Sequence, residues 1–198
     1  MHELLPGIFT WAWFSEPHGY NFNGHFLALP DGNLCVDPVE APPEVLAELA
    51  RRGVTRILLT NRNHVRDANR VRSRTGARTA IHAADAGYAR LQQAEIDDEL
   101  HAGERVGPLT VVAVPGKSPG EVALHWPERR ILIVGDAVIG APPGHCRLLR
   151  DKVLDDPAQL RDSVRRLLAL DFDTLVVGDG AAITGGAQER LRELVATF

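Results

Sequence analysis

The chain has 198 residues, with 22 basic and 26 acidic side chains and a formal net charge of −4. Apolar residues make up 44% and charged residues 24%, a composition typical of a globular protein, which excludes disordered, collagen-like and coiled-coil chains. No apolar run approaches the ~20 residues that cross a bilayer, and no basic stripe favours nucleic acid. We therefore expect neither a membrane nor a nucleic acid as a partner.

Cysteine usage and the N-terminal segment indicate the compartment. Cys35 and Cys146 are far apart in the chain and give no disulfide framework, which is typical of a reducing cytosol. The first 14 residues lack a basic region and a small-residue cleavage site, so we expect no signal peptide. These features predict a cytoplasmic protein.

The first third of the chain is predicted to form strands followed by a helix. The turn at residues 30–33 (Pro-Asp-Gly-Asn) predicts a hairpin, because proline presets φ and glycine permits a positive φ. Pro42 and Pro43 suit the first turn of a helix, and Gly53 suits its end. Strands are predicted at 4–10 (with a break at Pro6-Gly7), 26–29, 34–36 and 57–59, and a helix at 42–53.

The rest of the chain alternates between apolar runs and amphipathic segments. Asp156 can cap a helix with Pro157 in its first position. The pattern predicts two sheets packed together with helices outside, in one domain spanning residues 1–198. Helices are predicted at 67–74, 83–92, from Pro157 onward and at 186–198, and strands at 79–82, 109–114, 121–126, 130–136 and 175–177.

An aromatic cluster lies near the start of the chain. If residues 9–14 are extended, Trp11 and Trp13 share one face of the strand. Core packing is the simplest interpretation, since large aromatic side chains usually pack inside. A pocket wall or a dimer contact is the functional alternative.

Two familiar motifs are incomplete. Gly116-Lys117-Ser118 resembles the end of a phosphate-binding loop, but that motif requires glycine at position 111, which is valine. The eight histidines show no spacing typical of metal ligands.

The segment from Val114 to Asp136 carries a family resemblance. Its V-P-G-K-S-P-G turn, strand, turn and strand ending in Gly-Asp resemble the P-G-H-T-P-G-S segment of the metallo-β-lactamase superfamily. Residues 23–38 resemble the opening hairpin of that family, residues 57–60 resemble the strand that delivers its metal motif, and residues 176–180 resemble its late Pro-Gly-His-Gly turn. The resemblance implies an α/β fold, the four-layer αββα sandwich.

The same resemblance implies a metal site whose ligands are mostly replaced. Family enzymes hold one or two metals, usually zinc, with T-H-x-H-x-D-H, a histidine in the P-G-H turn, the aspartate of Gly-Asp and a late histidine. Of these seven ligand positions, only the aspartate of Gly-Asp keeps the family's ligand. In the order of the motifs, the positions are occupied by Asn61, Asn63, Val65, Arg66, Lys117, Asp136 and Asp179.

This set of side chains suits zinc poorly. Zinc takes about four nitrogen, sulfur or carboxylate ligands, whereas asparagine offers an amide oxygen and valine offers nothing. Arg66 and Lys117 add positive charge that repels a dication. They could instead neutralise Asp136 and Asp179, which are costly to bury unpaired. We therefore predict no metal and no other cofactor, with side-chain charge in place of metal charge.

Three hypotheses for function follow. The first is a catalytically degenerate member that binds a small anionic ligand without zinc. The second is a hydrolase of the ester or thioester class, working without zinc or with one weakly held ion. The third is a structural or oligomerisation subunit, a homodimer through the aromatic N-terminal face. The candidate catalytic residues are Lys117, Asp136, Asp179 and His64, and the candidate ligand-binding residues are Asn61, Asn63 and Arg66.

Overall fold

The computed structural model describes all 198 residues and divides them into two compact units, Met1–Leu100 and His101–Phe198. Each unit contains one β-sheet and its own apolar core. None of the helices is both long enough and apolar enough to span a bilayer. The single domain expected for residues 1–198 stays a prediction.

The first unit contains a seven-stranded sheet in which the strands follow one another in chain order. The first four strands pair antiparallel, as the hairpin turns predict, and the last four pair parallel. Helices join the parallel strands, because a parallel pair needs a crossover connection. The strands are β1 (His2–Leu5), β2 (Ile8–Ser15), β3 (Tyr20–Leu27), β4 (Leu34–Val36), β5 (Arg56–Leu59), β6 (Arg78–His82) and β7 (Asp98–Leu100), and the helices are α1 (Pro43–Arg52), α2 (Ala68–Thr75) and α3 (Ala83–Leu91).

The second unit contains a five-stranded sheet in which β8 to β11 pair antiparallel and β12 pairs parallel to β11. The crossover helix α4 begins as the sequence predicts, since the Asp156 carboxylate accepts a hydrogen bond from the Gln159 N–H at 2.9 Å. The strands are β8 (Arg105–Val106), β9 (Leu109–Ala113), β10 (Val122–Trp126), β11 (Ile131–Val134) and β12 (Thr174–Val177), and the helices are α4 (Pro157–Leu167) and α5 (Ala187–Val195).

The aromatic cluster of β2 divides between core and surface. Trp11 is buried in the core of the first unit, and its Nε1 donates a hydrogen bond to the Val39 carbonyl at 3.1 Å. Trp13, two residues along the same strand, is 42% exposed. Core packing is therefore the role of Trp11, while Trp13 is left on the surface.

Two strands were not predicted, β7 and β8. They contain three and two residues, too few to show the alternation by which a strand is recognised. In β7 the sequence Asp-Glu-Leu also has low strand propensity, and its pairing with β6 decides its conformation.

Candidate functional site

Polar side chains follow two neighbouring parallel strands of the first unit. Asp37 comes directly after β4, and Thr60 comes directly after β5. Because β4 and β5 are parallel and paired, their carboxyl ends meet at one edge of the sheet. The Asp37 N–H donates a hydrogen bond to the Leu58 carbonyl at 3.0 Å, which extends the pairing between β4 and β5 up to this edge.

Asp37, Thr60 and His64 form one buried hydrogen-bonded cluster, with each residue at most 1% exposed. The Asp37 carboxylate accepts hydrogen bonds from the Thr60 N–H at 2.8 Å and the Thr60 hydroxyl at 2.6 Å. His64 Nδ1 lies 2.8 Å from Asp37 Oδ2. A carboxylate only accepts, so Nδ1 carries the proton and His64 can serve a ligand only through Nε2.

The environment of Asp37 favours its charged form. Burial by itself raises the pKa of this carboxyl. The charge of His64 and the hydrogen bonds from His64 and Thr60 together outweigh burial, so the pKa lies below its ordinary value of 3.8. Asp37 is therefore an ionised group held by its partners.

The loop after Thr60 contains the residues that occupy the positions of the family's metal motif. The Asn61 amide oxygen accepts a hydrogen bond from the Asn63 N–H at 2.8 Å, closing a local turn. Asn61 is buried, whereas Asn63 is exposed. Arg66 has a positive φ of 25°, and its guanidinium carbon lies 4.6 Å from the centre of the Phe22 ring. This cation is thus stacked on an aromatic face.

In the second unit, a tight turn after β9 presents Lys117. Gly116 has a φ of 138°, and a Cβ there would collide with the backbone of Leu160, so only glycine fits this turn. Lys117 Nζ lies 3.5 Å from Asp136 Oδ2, and both side chains are at most 10% exposed. The predicted pairing of Lys117 with an acidic residue of the site is present, with Asp136 as partner.

Asp136 and Asp179 follow the neighbouring parallel strands β11 and β12. Their carboxylate oxygens lie within 4.8 Å of each other, and each residue is 4% exposed. Gly180 approaches Gly140 so closely that a Cβ would collide with the Gly140 carbonyl, which fixes the loop beyond Asp179. The Asp136 N–H donates to a Glu121 carboxylate oxygen at 2.7 Å.

These residues do not fit the two-metal site of the family. The Asn61 amide oxygen is engaged by a backbone N–H, and position 65 is an apolar valine. The Lys117 ammonium lies against Asp136, the one ligand retained, and competes with any cation for that carboxylate. Asp136 and Asp179 are groups that a divalent ion binds, but too few metal ligands remain for a zinc pair.

All the predicted site residues except Lys117 follow the carboxyl ends of parallel strands, and Lys117 lies in the turn after the antiparallel strand β9. His64, Asn61, Asn63 and Arg66 follow β5 in the first unit, and Lys117, Asp136 and Asp179 lie together in the second. Sequence reasoning missed the partners that hold these groups. The signal for Asp37 was present, since an acidic residue directly ends the apolar strand Leu34–Val36. The missed partners are Asp37, Thr60 and Glu121.

The family is established by comparison with known proteins. The family model described as the metallo-β-lactamase superfamily matches residues 1–198. The chain therefore belongs to the metallo-β-lactamase superfamily, which confirms the predicted fold class.

Individual relatives agree with this assignment. A hydroxyacylglutathione hydrolase of Fuscovulum blasticum is 35% identical over 149 residues, covering 71% of this chain and 54% of the relative. A metallo-β-lactamase from Hirschia baltica has a TM-score of 0.76 at 17% identity, covering 98% of this chain and 94% of that chain. A protein solved in a di-iron-bound form has a TM-score of 0.70 at 25% identity, covering 91% of this chain and 98% of that chain. The chain spans about half the length of the curated relatives it matches.

Proposed function

We propose that this chain binds a small anionic molecule and holds no zinc pair. The observation that carries the proposal is the buried contact between Lys117 and Asp136, Nζ to Oδ2 3.5 Å. Lys117 occupies the position where the family resemblance has a metal-ligating histidine. The Lys117 ammonium group supplies positive charge at this position without a metal ion.

Arg66 supports the anionic character of the ligand. It takes the position of another family histidine, and its guanidinium is held on the Phe22 ring. Guanidinium groups bind carboxylates and phosphates with two parallel hydrogen bonds, which makes arginine the preferred partner of such anions. In an enzyme that uses a metal at this position, a permanent cation would be unfavourable.

Binding that is independent of metal tests this proposal. Chelator-treated, dialysed protein is titrated with a panel of small carboxylates and phosphates by calorimetry. We expect at least one anion to bind with a Kd that does not change when zinc is added. The proposal is wrong if every anion requires added zinc for binding, since the ion would then supply the positive charge.

A thioester hydrolase that works without zinc is the second candidate. It is favoured by the Asp37–His64 contact and by relatives, 32–36% identical, that carry the name hydroxyacylglutathione hydrolase. Asp37 accepts the Nδ1 proton of His64, and in the neutral form of the ring this arrangement leaves Nε2 as a proton acceptor for an attacking water. Asp136 is the alternative base. The candidate groups for stabilising a developing negative charge are Arg66, Asn61 and Asn63 in the first unit and Lys117 in the second.

Turnover of an activated thioester tests the second candidate. If it is correct, chelator-treated protein hydrolyses the thioester slowly, and His64→Gln and Lys117→Met each reduce the rate by about 10²-fold or more. The exposed Lys152→Met serves as the matched control and leaves the rate unchanged. A rate that disappears with chelator would instead identify a metal-dependent enzyme.

A further inference from the structure

A crevice of about 280 Å³ opens in the first unit between the helices α1 and α2. Its apolar side is formed by Pro43 and Leu46, both from the N-terminal half of α1. Its polar side is formed by Arg70, Ser73 and Arg74 of α2. Residues three and four positions apart lie on one face of a helix, so the two guanidinium groups can reach the same bound group. None of the five lining residues is acidic.

The Arg70 side chain is held in place by its partners. Its Nη1 donates to both Asp67 carboxylate oxygens, at 3.2 and 3.1 Å, and its Nη2 donates to the Ala41 carbonyl at 3.4 Å. A guanidinium has five N–H donors in a rigid plane, so the Nε–H and one N–H of Nη2 are left for a further acceptor. Arg70 is therefore an oriented hydrogen-bond donor whose charge is compensated by Asp67.

Arg74 supplies the uncompensated positive charge. Its side chain is exposed and makes no hydrogen bond, ion pair or ring contact in the structure. The third arginine of α2, Arg72, lies outside the crevice and forms ion pairs with Glu95 and Asp97. The positive charge that an anion would meet in the crevice is therefore that of Arg74.

One further acidic side chain belongs to the first turn of α1. Glu44 is exposed and does not line the crevice. Its carboxylate reduces the attraction for an anion by like-charge repulsion, and solvent screening limits this effect. The crevice therefore keeps a preference for an anion over a cation.

Phosphate is the anion that these donors fit best. A phosphate monoester has three terminal oxygens and a charge of about −1.5 to −2 at neutral pH, so both guanidinium groups can donate to it at once. The Ser73 hydroxyl, which donates to the Arg70 carbonyl at 2.9 Å, can rotate to donate to the phosphate instead. A carboxylate has only two oxygens and is satisfied by one guanidinium.

We propose that the crevice between α1 and α2 binds a small phosphate monoester, with the phosphate on Arg70 and Arg74 and the carbon chain on Pro43 and Leu46. The crevice is slightly smaller than the ~300–1,000 Å³ of most small-molecule sites, which limits the organic part of the ligand to a short chain. This inference goes beyond the proposed function and does not depend on Lys117.

Calorimetric titration of chelator-treated protein with n-butyl phosphate tests the ligand class. Pentanoate is the comparison, because it carries a carboxylate on the same four-carbon chain. We expect n-butyl phosphate to bind at least about tenfold more tightly than pentanoate, since it engages two guanidinium groups instead of one. Equal affinities, or no binding of n-butyl phosphate at about 10 mM, would overturn the proposal.

Variants of Arg74 locate the binding. Arg74→Gln should weaken n-butyl phosphate binding about tenfold or more, and Arg74→Lys should keep part of the affinity, because lysine retains the charge but not the planar fork. Arg150→Gln is the matched control, since it removes an exposed arginine from the second unit, and it should leave the affinity unchanged. Thermal melts establish that each variant is folded.

The same titrations distinguish this inference from the proposed function. If Arg74→Gln leaves n-butyl phosphate binding unchanged and Lys117→Met abolishes it, this inference fails and the proposed function stands. If Arg74→Gln abolishes the binding of every carboxylate and phosphate tested and Lys117→Met affects none of them, this inference stands and the proposed function fails.

Discussion

Lys117→Ala is expected to lower the free energy of unfolding by about 3–5 kcal/mol, the typical cost of removing one partner of a buried ion pair. The substitution leaves the Asp136 carboxylate buried at 4% exposure, with Asp179 within 4.8 Å, and removes the ammonium that lies 3.5 Å away. Chemical denaturation gives the free energy. A thermal melt gives a fall of about 2–4 °C for each kcal/mol in a protein of this size.

The matched control is Lys152→Ala. Lys152 is exposed, so this substitution removes the same positive charge from the surface instead of from a buried position. It should change the stability by less than about 0.5 kcal/mol. Lys117→Ala combined with Asp136→Asn should recover part of the loss, since the unpaired carboxylate is then also removed. A stability of Lys117→Ala equal to that of the wild type would show that the ammonium makes no buried contact.

Asp37→Asn is expected to cost a similar amount, about 3–5 kcal/mol at neutral pH. Asp37 accepts hydrogen bonds from Thr60 and contacts His64 at 2.8 Å, and all three side chains are buried. An amide places an NH₂ group or a neutral oxygen where both partners donate. The control substitution is Asp31→Asn, because Asp31 is an exposed aspartate in the turn before β4.

The pH dependence of the free energy of unfolding distinguishes the contribution of the Asp37 charge from that of the shape of its side chain. Because folding lowers the pKa of Asp37, its contribution is fully present above the ordinary value of 3.8 and is lost as the pH falls through the folded value. The wild type should therefore lose stability on acidification more steeply than Asp37→Asn, with unfolding followed from pH 7 to pH 2. Parallel pH profiles for the two proteins would contradict this account of the cluster.

Most elements could be predicted because their signals are local. Pro43 at the first position of α1, Gly53 after its end, and Asp156 at the cap of α4 act within a few residues. The helix bounds from sequence and structure agree to within about two residues for α1. The strands β7 and β8 were not predicted because they contain only three and two residues, and their conformation depends on pairing with β6 and with β9 rather than on their own sequence.

The candidate site was harder, because its partners come from separate parts of the chain. The motif comparison located Lys117 and Asp136, whose contact crosses 19 positions of sequence. It gave no reason to connect Asp37 with His64, since that contact depends on the parallel pairing of β4 and β5. The resemblance identified the positions that differ from the family's motif, and the hydrogen bonds of those side chains depend on contacts that the sequence does not give. A homodimer through the exposed Trp13 and Phe14 stays a prediction.

The central claim is that side-chain charge replaces the metal pair, and the metal content of the purified protein tests it most directly. The protein is prepared with zinc in the medium and buffers, dialysed without chelator, and analysed by inductively coupled plasma spectrometry for zinc, iron and manganese. The account predicts well below one equivalent of all three metals together. One or more equivalents of any of them after dialysis would contradict it.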